Sequence, residues 1–314
     1  MKLKNIAAAA LLGSALWMTQ AVAEDEPKPT QELTQEEIAE MINNPLSYLW
    51  MTAIQNDTFY YDGDIPGANK IRVNRLMLMP VMPFQLTDDI KVVARPWLPV
   101  YTSRLPWGDP NNFMWGEHPV DGTPFPTGIA STDSKTGIGD AGLWLAFASN
   151  DGAKPPFVWG LGLTSMFDTA SEDQFGTGYN CAGPMGLAFY IGEKWITGGV
   201  LQHWWDFSGN GTLATPDGVS LTDFQPVIRY RLTPETNIGM APNIQYNWKT
   251  KDWNVPVGLG MDTMINIGPL PVKIGFEAYY YVKHGSDAFH NDWQLRLFFV
   301  PVLPSPHWSR KALF

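Results

Sequence analysis

Five histidines, one cysteine and several serines are the side chains of this sequence that could carry out chemistry directly. The histidines are His118, His203, His284, His290 and His307. None forms a close pair at metal-ligand spacing with Cys181 or with another histidine on one element, so neither a metal nor a cofactor is predicted. A serine activated by a histidine base is the catalytic alternative, as in a lipase or deacylase. His284 lies two residues from Ser286, and His203 lies near Ser208, but neither pair forms a known lipase motif.

Gly137-x-Gly139-x-x-Gly142 formally matches a dinucleotide-binding fingerprint. That fingerprint requires a strand before it and a helix after it, so that the phosphates meet the helix N-terminus. Here a loop precedes the glycines, and residues 143–148 continue as an alternating strand. Nucleotide binding is therefore not predicted.

A set of polar side chains recurs at alternate positions of apolar segments and forms the best candidate site. By phase its members are Arg72, Arg95, Asp140, Asp223, Arg229, Arg231, Gln245, Asp262, Glu277, Gln294 and Arg296. Arginines that face carboxylates across a pore would narrow it and create a transverse field that selects solutes. The alternative is a folding requirement alone, because a charge on a lipid-exposed barrel face costs about 2–4 kcal/mol.

The elements that must position these side chains are β-strands, because alternation with a period of two dominates from residue 48 onwards. In residues 223–232, Phe224, Ile228 and Tyr230 fall on one face, while Asp223 and Arg229 fall on the other. Residues 238–249, 272–283 and 293–303 alternate in the same way, and each is predicted as one strand.

The composition favours one transmembrane antiparallel β-barrel over a soluble β-sandwich. Aromatic residues make up 13% of the chain and charged residues only 17%. Aromatic side chains lie near the predicted strand ends, as girdles at the two membrane interfaces require. Short and long connections also largely alternate along the chain. The prediction is an all-β barrel of about twelve strands with a short N-terminal helix and both chain ends on the side of the short turns.

The N-terminus indicates export. Lys2 and Lys4 precede an apolar segment that is too short to span a bilayer, and Ala21-Val22-Ala23 supplies the small residues of a cleavage site. Without residues 1–23, 19 basic residues stand against 31 acidic ones, so the formal charge falls from −10 to −12. An acidic exported chain is a poor partner for nucleic acid.

The predicted organisation follows from these features. A signal peptide covers residues 1–23, and a polar lead-in with a short helix, a possible plug, covers residues 24–47. The barrel covers residues 48–304, and a tail covers residues 305–314. Within the barrel, the long loop 105–136 carries Trp107, Phe113 and Trp115. This loop is expected either to constrict the mouth or bind an apolar solute, or to be a surface loop packed on itself.

Four short segments resemble one family of bacterial outer-membrane barrels, the putative transporters of the phenol-degradation meta-pathway type. They are Asn43-Asn44-Pro45, Gly137-Ile138-Gly139-Asp140, residues 253–260 (WNVPVGLG), and Trp293 followed by Leu297-Phe298-Phe299 and Pro304. The resemblance covers most of residues 43–304 and implies transport of small, often hydrophobic compounds, with no catalytic residues. The tail after the last strand departs from the many barrels that end on a strand with a terminal aromatic residue.

The function expected from the sequence is a porin-like passive channel in the outer membrane of a Gram-negative cell. Its expected partners are outer-membrane lipid and a small, hydrophobic or aromatic solute, without nucleic acid. Two alternatives stay open: an outer-membrane lipase or deacylase, and a structural barrel with a closed lumen. The oligomeric state is also left open.

Overall fold

A computed structural model describes residues 41–42, 44, 46–47, 49–106, 110–117, 122–130, 133–149 and 156–303. The predicted signal peptide, the C-terminal tail and Trp107 lie outside the described residues. Of the predicted N-terminal helix, the described part contains residues 41–42, which are helical. No helix among the described residues is long and apolar enough to cross a membrane.

Sixteen strands are present in the described part of the chain. They are β1 (Trp50–Asp62), β2 (Arg72–Gln85), β3 (Ile90–Ser103), β4 (Phe113–Glu117), β5 (Pro124–Ile129), β6 (Lys135–Ile138), β7 (Gly142–Ser149), β8 (Phe157–Met166), β9 (Tyr179–Ile191), β10 (Trp195–Gly209), β11 (Ser220–Arg231), β12 (Thr236–Met240), β13 (Ile244–Asn247), β14 (Asp252–Ile267), β15 (Leu270–Lys283) and β16 (His290–Leu303).

Fourteen of these strands form one closed antiparallel barrel. β6 and β7 both pair with β3, so together they form one interrupted strand of the barrel. β12 and β13 both pair with β11 and β14 and form a second interrupted strand. We call each continuous or interrupted strand position around the barrel a stave. The barrel therefore has twelve staves, and the β1–β16 and β10–β11 pairings leave no free edge. The predicted fold class and strand number are confirmed.

The two ends of the barrel differ in their connections. Trp50, the first residue of β1, pairs with Leu303, the last residue of β16, so the first strand begins and the last strand ends on the same side of the barrel. We call this side the turn end. Short links such as 86–89, 192–194 and 268–269 lie there as well. The opposite end, the loop end, carries longer links such as 104–134 and 167–178, and the hairpin β4–β5 lies within the first of these.

The barrel is apolar outside and polar inside over much of its wall. On β16, Leu295 and Leu297 are 44% and 60% exposed, whereas the intervening Arg296 is only 4% exposed. Exposed apolar strands without a free edge are what a hydrocarbon surrounding requires, because every backbone polar group must be paired within the wall. Aromatic pairs lie at both ends of this belt, with Trp195 and Tyr230 at the turn end and Tyr280 and Trp293 at the loop end.

The stave formed by β12 and β13 corrects one prediction. Residues 238–249 alternate as one strand in the sequence, but the strand is interrupted at residues 241–243. Pro242 lies opposite Pro226 of β11 in the continuous register, and neither proline has an N–H group to donate. At Ala241, lumenal side chains replace the ladder: Tyr279 Oη accepts from its N–H, and Gln225 and Arg296 donate to its carbonyl.

Candidate functional site in the barrel lumen

One row of cross-strand neighbours forms a chain of ion pairs along the lumen wall. Arg75, Asp57, Arg296 and Glu277 are successive partners on β2, β1, β16 and β15. Arg75 Nη2 lies 2.7 Å from Asp57 Oδ2, and Arg296 Nε lies 2.8 Å from Asp57 Oδ1. Arg296 Nη1 then reaches Glu277 Oε2 at 3.2 Å. Since cross-strand partners share one face of a sheet, the register alone brings these four charges together inside the barrel.

Arg229 on β11 is the last member of this chain of ion pairs, and its side chain extends over two glycines to reach Glu277. The same cross-strand row continues from Glu277 through Gly260 on β14 and Gly239 on β12 to Arg229. A side chain at Gly260 would collide with Glu277, and one at Gly239 would crowd the Arg229 stem. Because both positions lack a side chain, the Arg229 guanidinium donates to Glu277 and to Asp262.

Asp262 extends the network toward the turn end. Lys273 Nζ lies 2.9 Å from its Oδ1, and Asn237 Nδ2 donates to the same oxygen at 2.8 Å. Asp262, Asn237 and Glu277 are all buried. Within the described residues, four cations and three carboxylates therefore form one ion-pair network, with a formal charge of +1, on the wall formed by β1, β2 and β11–β16.

Asp223 forms a second polar cluster closer to the loop end, joined to the ion-pair chain through Asn243, whose Oδ1 accepts from Arg296 Nη2 at 3.4 Å. Its carboxylate accepts hydrogen bonds from the amides of Gln202, Asn243 and Gln245 at 3.0–3.2 Å. Gln245 of the predicted set therefore faces the lumen as a donor to a buried carboxylate.

The opposite wall of the lumen is mainly apolar, although Lys91, Arg95 and Thr164 also face inward there. Its buried apolar members on β3 and β7–β10 are Val93, Trp144, Ala146, Ala148, Val158, Met185, Leu187, Phe189 and Val200. Toward the loop end this surface continues through Trp97, which also packs against the cluster of Cys181, Trp204 and Val219. We call this surface the apolar wall. It extends from near the turn end to the loop end of the barrel.

The segment before β1 lies inside the turn end. Leu46 is fully buried against the apolar wall, and Ile42 and Leu49 pack with Met51 and Val302 at the adjoining strand ends. The described part of this segment thus occupies lumen space between the polar and the apolar walls.

The inward placement predicted for Arg72 is wrong, because Arg72 is exposed beside the buried, inward-facing Val73. Three other predicted residues lie at three different sites. Arg95 on β3 faces the lumen beside Trp144, and Arg231 faces inward at the turn end of β11, one residue beyond the pairing of Tyr230 with Trp195. Asp140 lies in the break between β6 and β7. Its carboxylate accepts four hydrogen bonds from the 167–178 loop, from the N–H groups of residues 169, 170 and 177 and from the Thr177 hydroxyl.

The aromatic residues of the long loop are divided between a buried and an exposed position. Phe113 is buried at the base of the β4–β5 hairpin, and its ring lies 5.7 Å from that of Trp115. Trp115 and Phe125 are largely exposed. Ile129 joins the cluster of loop-end residues around Ile65. The hairpin therefore packs on the neighbouring β1–β2 loop through one side only.

The histidines in the described residues bond to groups other than a serine hydroxyl. His203 Nδ1 lies 2.7 Å from Thr222 Oγ1, and His290 Nδ1 lies 2.9 Å from the Ser286 carbonyl oxygen. His284 stacks on His290 and lies 3.9 Å from Asp287. In the described part of the chain, no cluster of three His, Cys, Asp or Glu side chains could hold a metal ion.

Sequence reasoning missed Asp57 and Arg75, the first two members of the ion-pair chain. The alternation on β1 and β2 is obscured because Asn56 and Asn74, on the outward face, are polar as well. Their amides donate to each other at 2.9 and 3.0 Å on the surface shared with the exposed Leu297. The signal that could have identified Asp57 was its position two residues before Phe59, which also faces inward.

Comparison with known structures agrees with this architecture. The COG4313 outer membrane channel from Pseudomonas putida F1 is similar over 89% of this chain and 100% of its own, with 13% identity and a TM-score of 0.55. The P. putida toluene transporter TodX is similar over 82% of this chain and 90% of its own, with 9% identity and a TM-score of 0.38. No protein-family model and no curated protein matches the sequence. The chain has the fold of an outer-membrane β-barrel, and its apolar exterior belongs in that membrane.

Proposed function

We propose that this chain is a passive outer-membrane channel for small apolar compounds. The observation that carries the proposal is the apolar wall, whose cluster on β3 and β7–β10 is joined through Trp97 to the cluster around Trp204 at the loop end. Ligand sites for such compounds are lined mostly by apolar and aromatic side chains with a few fixed polar groups. The neighbour with the same fold is itself an outer-membrane channel, which agrees with the proposal.

The charged wall has a supporting role in this proposal. Its charged side chains are paired with one another, so an apolar solute can pass without breaking these ion pairs. Leu46 packs against the apolar wall at the turn end. In this proposal, a solute passes the turn end when Leu46 is displaced. The phenol-pathway compounds implied by the family resemblance are one candidate solute class within this proposal.

Uptake by whole cells tests this function, because the outer membrane itself is the barrier to be crossed. Cells with the wild-type chain are expected to take up a radiolabelled neutral aromatic compound faster than cells without it. Leu187→Asn puts an amide into the apolar wall and should slow uptake several-fold, whereas the volume-conserving Leu187→Met should leave it near the wild-type rate. The folded amount of each variant is measured from its heat-dependent gel mobility.

Two results would contradict the channel function. One is an uptake rate that is the same with and without the wild-type chain. The other is equal uptake through the Leu187→Asn and Leu187→Met variants at equal folded amounts, because the apolar wall would then not be the route.

A further inference from the structure

Arg95 is a lumenal cation without a carboxylate partner among the described residues. Its Nη2 lies 3.2 Å from the Met79 sulfur, and its guanidinium carbon lies 5.4 Å from the centre of the Trp144 ring. A thioether is a weak acceptor, and a guanidinium has five N–H donors. The other N–H donors of Arg95 have no acceptor in the described part of the chain.

The ion-pair chain on the opposite wall makes this arrangement unusual. Arg75, Arg229, Lys273 and Arg296 each lie within 3.2 Å of at least one carboxylate. Arg95 is half-buried on β3, one of the strands that form the apolar wall, and it stands outside that chain. A folding requirement for paired lumen charges explains these four cations but explains neither Arg95 nor Arg231, whose Nε is buried without a hydrogen-bond partner within the residues that the structure describes. Of these two arginines, Arg95 lies beside Trp144 of the apolar wall.

We propose that Arg95 binds the carboxylate of an apolar acid whose hydrocarbon part lies against Trp144 and the neighbouring apolar wall. The inference rests on the proposed function and narrows its substrate class from apolar compounds to apolar carboxylic acids. A planar guanidinium matches a carboxylate with two parallel hydrogen bonds. The Trp144 ring beside Arg95 belongs to the cluster of Val93, Met185 and Val200, which offers apolar contact, and Thr164 lies opposite Trp144 on β8. A site of this kind discriminates against the uncharged analogue, which leaves the guanidinium unpaired.

A carboxylate from the chain itself is the competing occupant. Glu36, Glu37 and Glu40 precede the described segment that enters the turn end. A variant with all three changed to glutamine distinguishes this occupant from a bound solute.

Titration calorimetry of the full chain in lipid nanodiscs tests the proposal with phenylacetate and its isosteric amide, phenylacetamide, against empty nanodiscs. The wild-type chain is expected to bind the acid about 10- to 100-fold more tightly than the amide, the range of a charge-assisted hydrogen bond. Arg95→Gln should abolish this preference with little change in amide binding, and Arg95→Lys should restore part of it. Lys194→Gln removes a positive charge at an exposed position of the 192–194 turn; it is the matched control and should keep the full preference.

The outcomes separate this inference from the channel function. An equal affinity for acid and amide in the wild-type chain, together with uptake of neutral aromatics by cells, overturns the inference and leaves the channel standing. A preference that survives Arg95→Gln also overturns it. A preference that is found only in the triple glutamine variant assigns Arg95 to the chain's own glutamates and overturns it as well. If the wild-type chain neither binds these compounds nor increases uptake by cells, the channel function itself is contradicted.

Discussion

Glu277→Gln is the substitution that most directly tests whether the ion-pair chain stabilises the barrel. The Glu277 carboxylate accepts from Arg229 through Oε1, and from Arg296 and Tyr279 through Oε2 at 3.2 and 2.7 Å. Glutamine keeps the size of the side chain but replaces one oxygen with an NH₂ group. That group would face an arginine or a hydroxyl that already donates.

The magnitude follows from what each arginine retains. Arg229 keeps Asp262 as a partner, and Arg296 keeps Asp57. The loss is therefore smaller than the roughly 3–5 kcal/mol seen when a buried ion pair loses one partner altogether. Weakening of charge-assisted hydrogen bonds worth about 1.5–3 kcal/mol each predicts a fall of about 2–4 kcal/mol in the free energy of unfolding.

Equilibrium unfolding in guanidinium chloride from lipid vesicles, followed by tryptophan fluorescence, measures this change. Glu235→Gln is the matched control, since Glu235 is partly exposed in the β11–β12 turn and, among the described residues, its carboxylate accepts from the Thr233 hydroxyl alone. Its expected effect is below about 0.5 kcal/mol. If Glu277→Gln also stays within about 0.5 kcal/mol of the wild-type chain, the ion-pair chain does not stabilise the fold and the reasoning is refuted.

Two further substitutions test polar contacts away from this chain. Asn56→Leu leaves the lipid-facing amide of Asn74 without its reciprocal partner and should lower the free energy of unfolding by about 1–2 kcal/mol. The double substitution Asn56→Leu/Asn74→Leu should recover most of that loss. Additive losses in the double-mutant cycle would contradict this account of the pair. Asp140→Asn weakens the hydrogen bonds that the Asp140 carboxylate accepts from the Thr177 N–H and hydroxyl. It should therefore speed proteolysis of the 167–178 loop with little change in the unfolding midpoint. An unchanged cleavage rate would show that the carboxylate does not hold the loop.

The alternation of apolar and polar residues predicted the most regular part of the wall. On β11, β15 and β16 every second residue is apolar, and the structure places Arg229, Glu277 and Arg296 inside the barrel as this phase requires. The prediction failed where alternation was imperfect, as at Asp57 on β1, and where a proline removed a donor, as at Pro242. Both failures have a local cause in the sequence, but its effect depends on the neighbouring strand.

The barrel, its strand number and the inward phase of most candidate residues were determined by the sequence alone, because a side-chain period of two is a local property of each strand. Which charges meet was decided only by the tertiary structure. Arg229 and Glu277 are 48 residues apart and meet because the register places two glycines between them. The isolation of Arg95 has the same origin, since closure of the barrel put it beside Trp144 and Met79 rather than a described carboxylate.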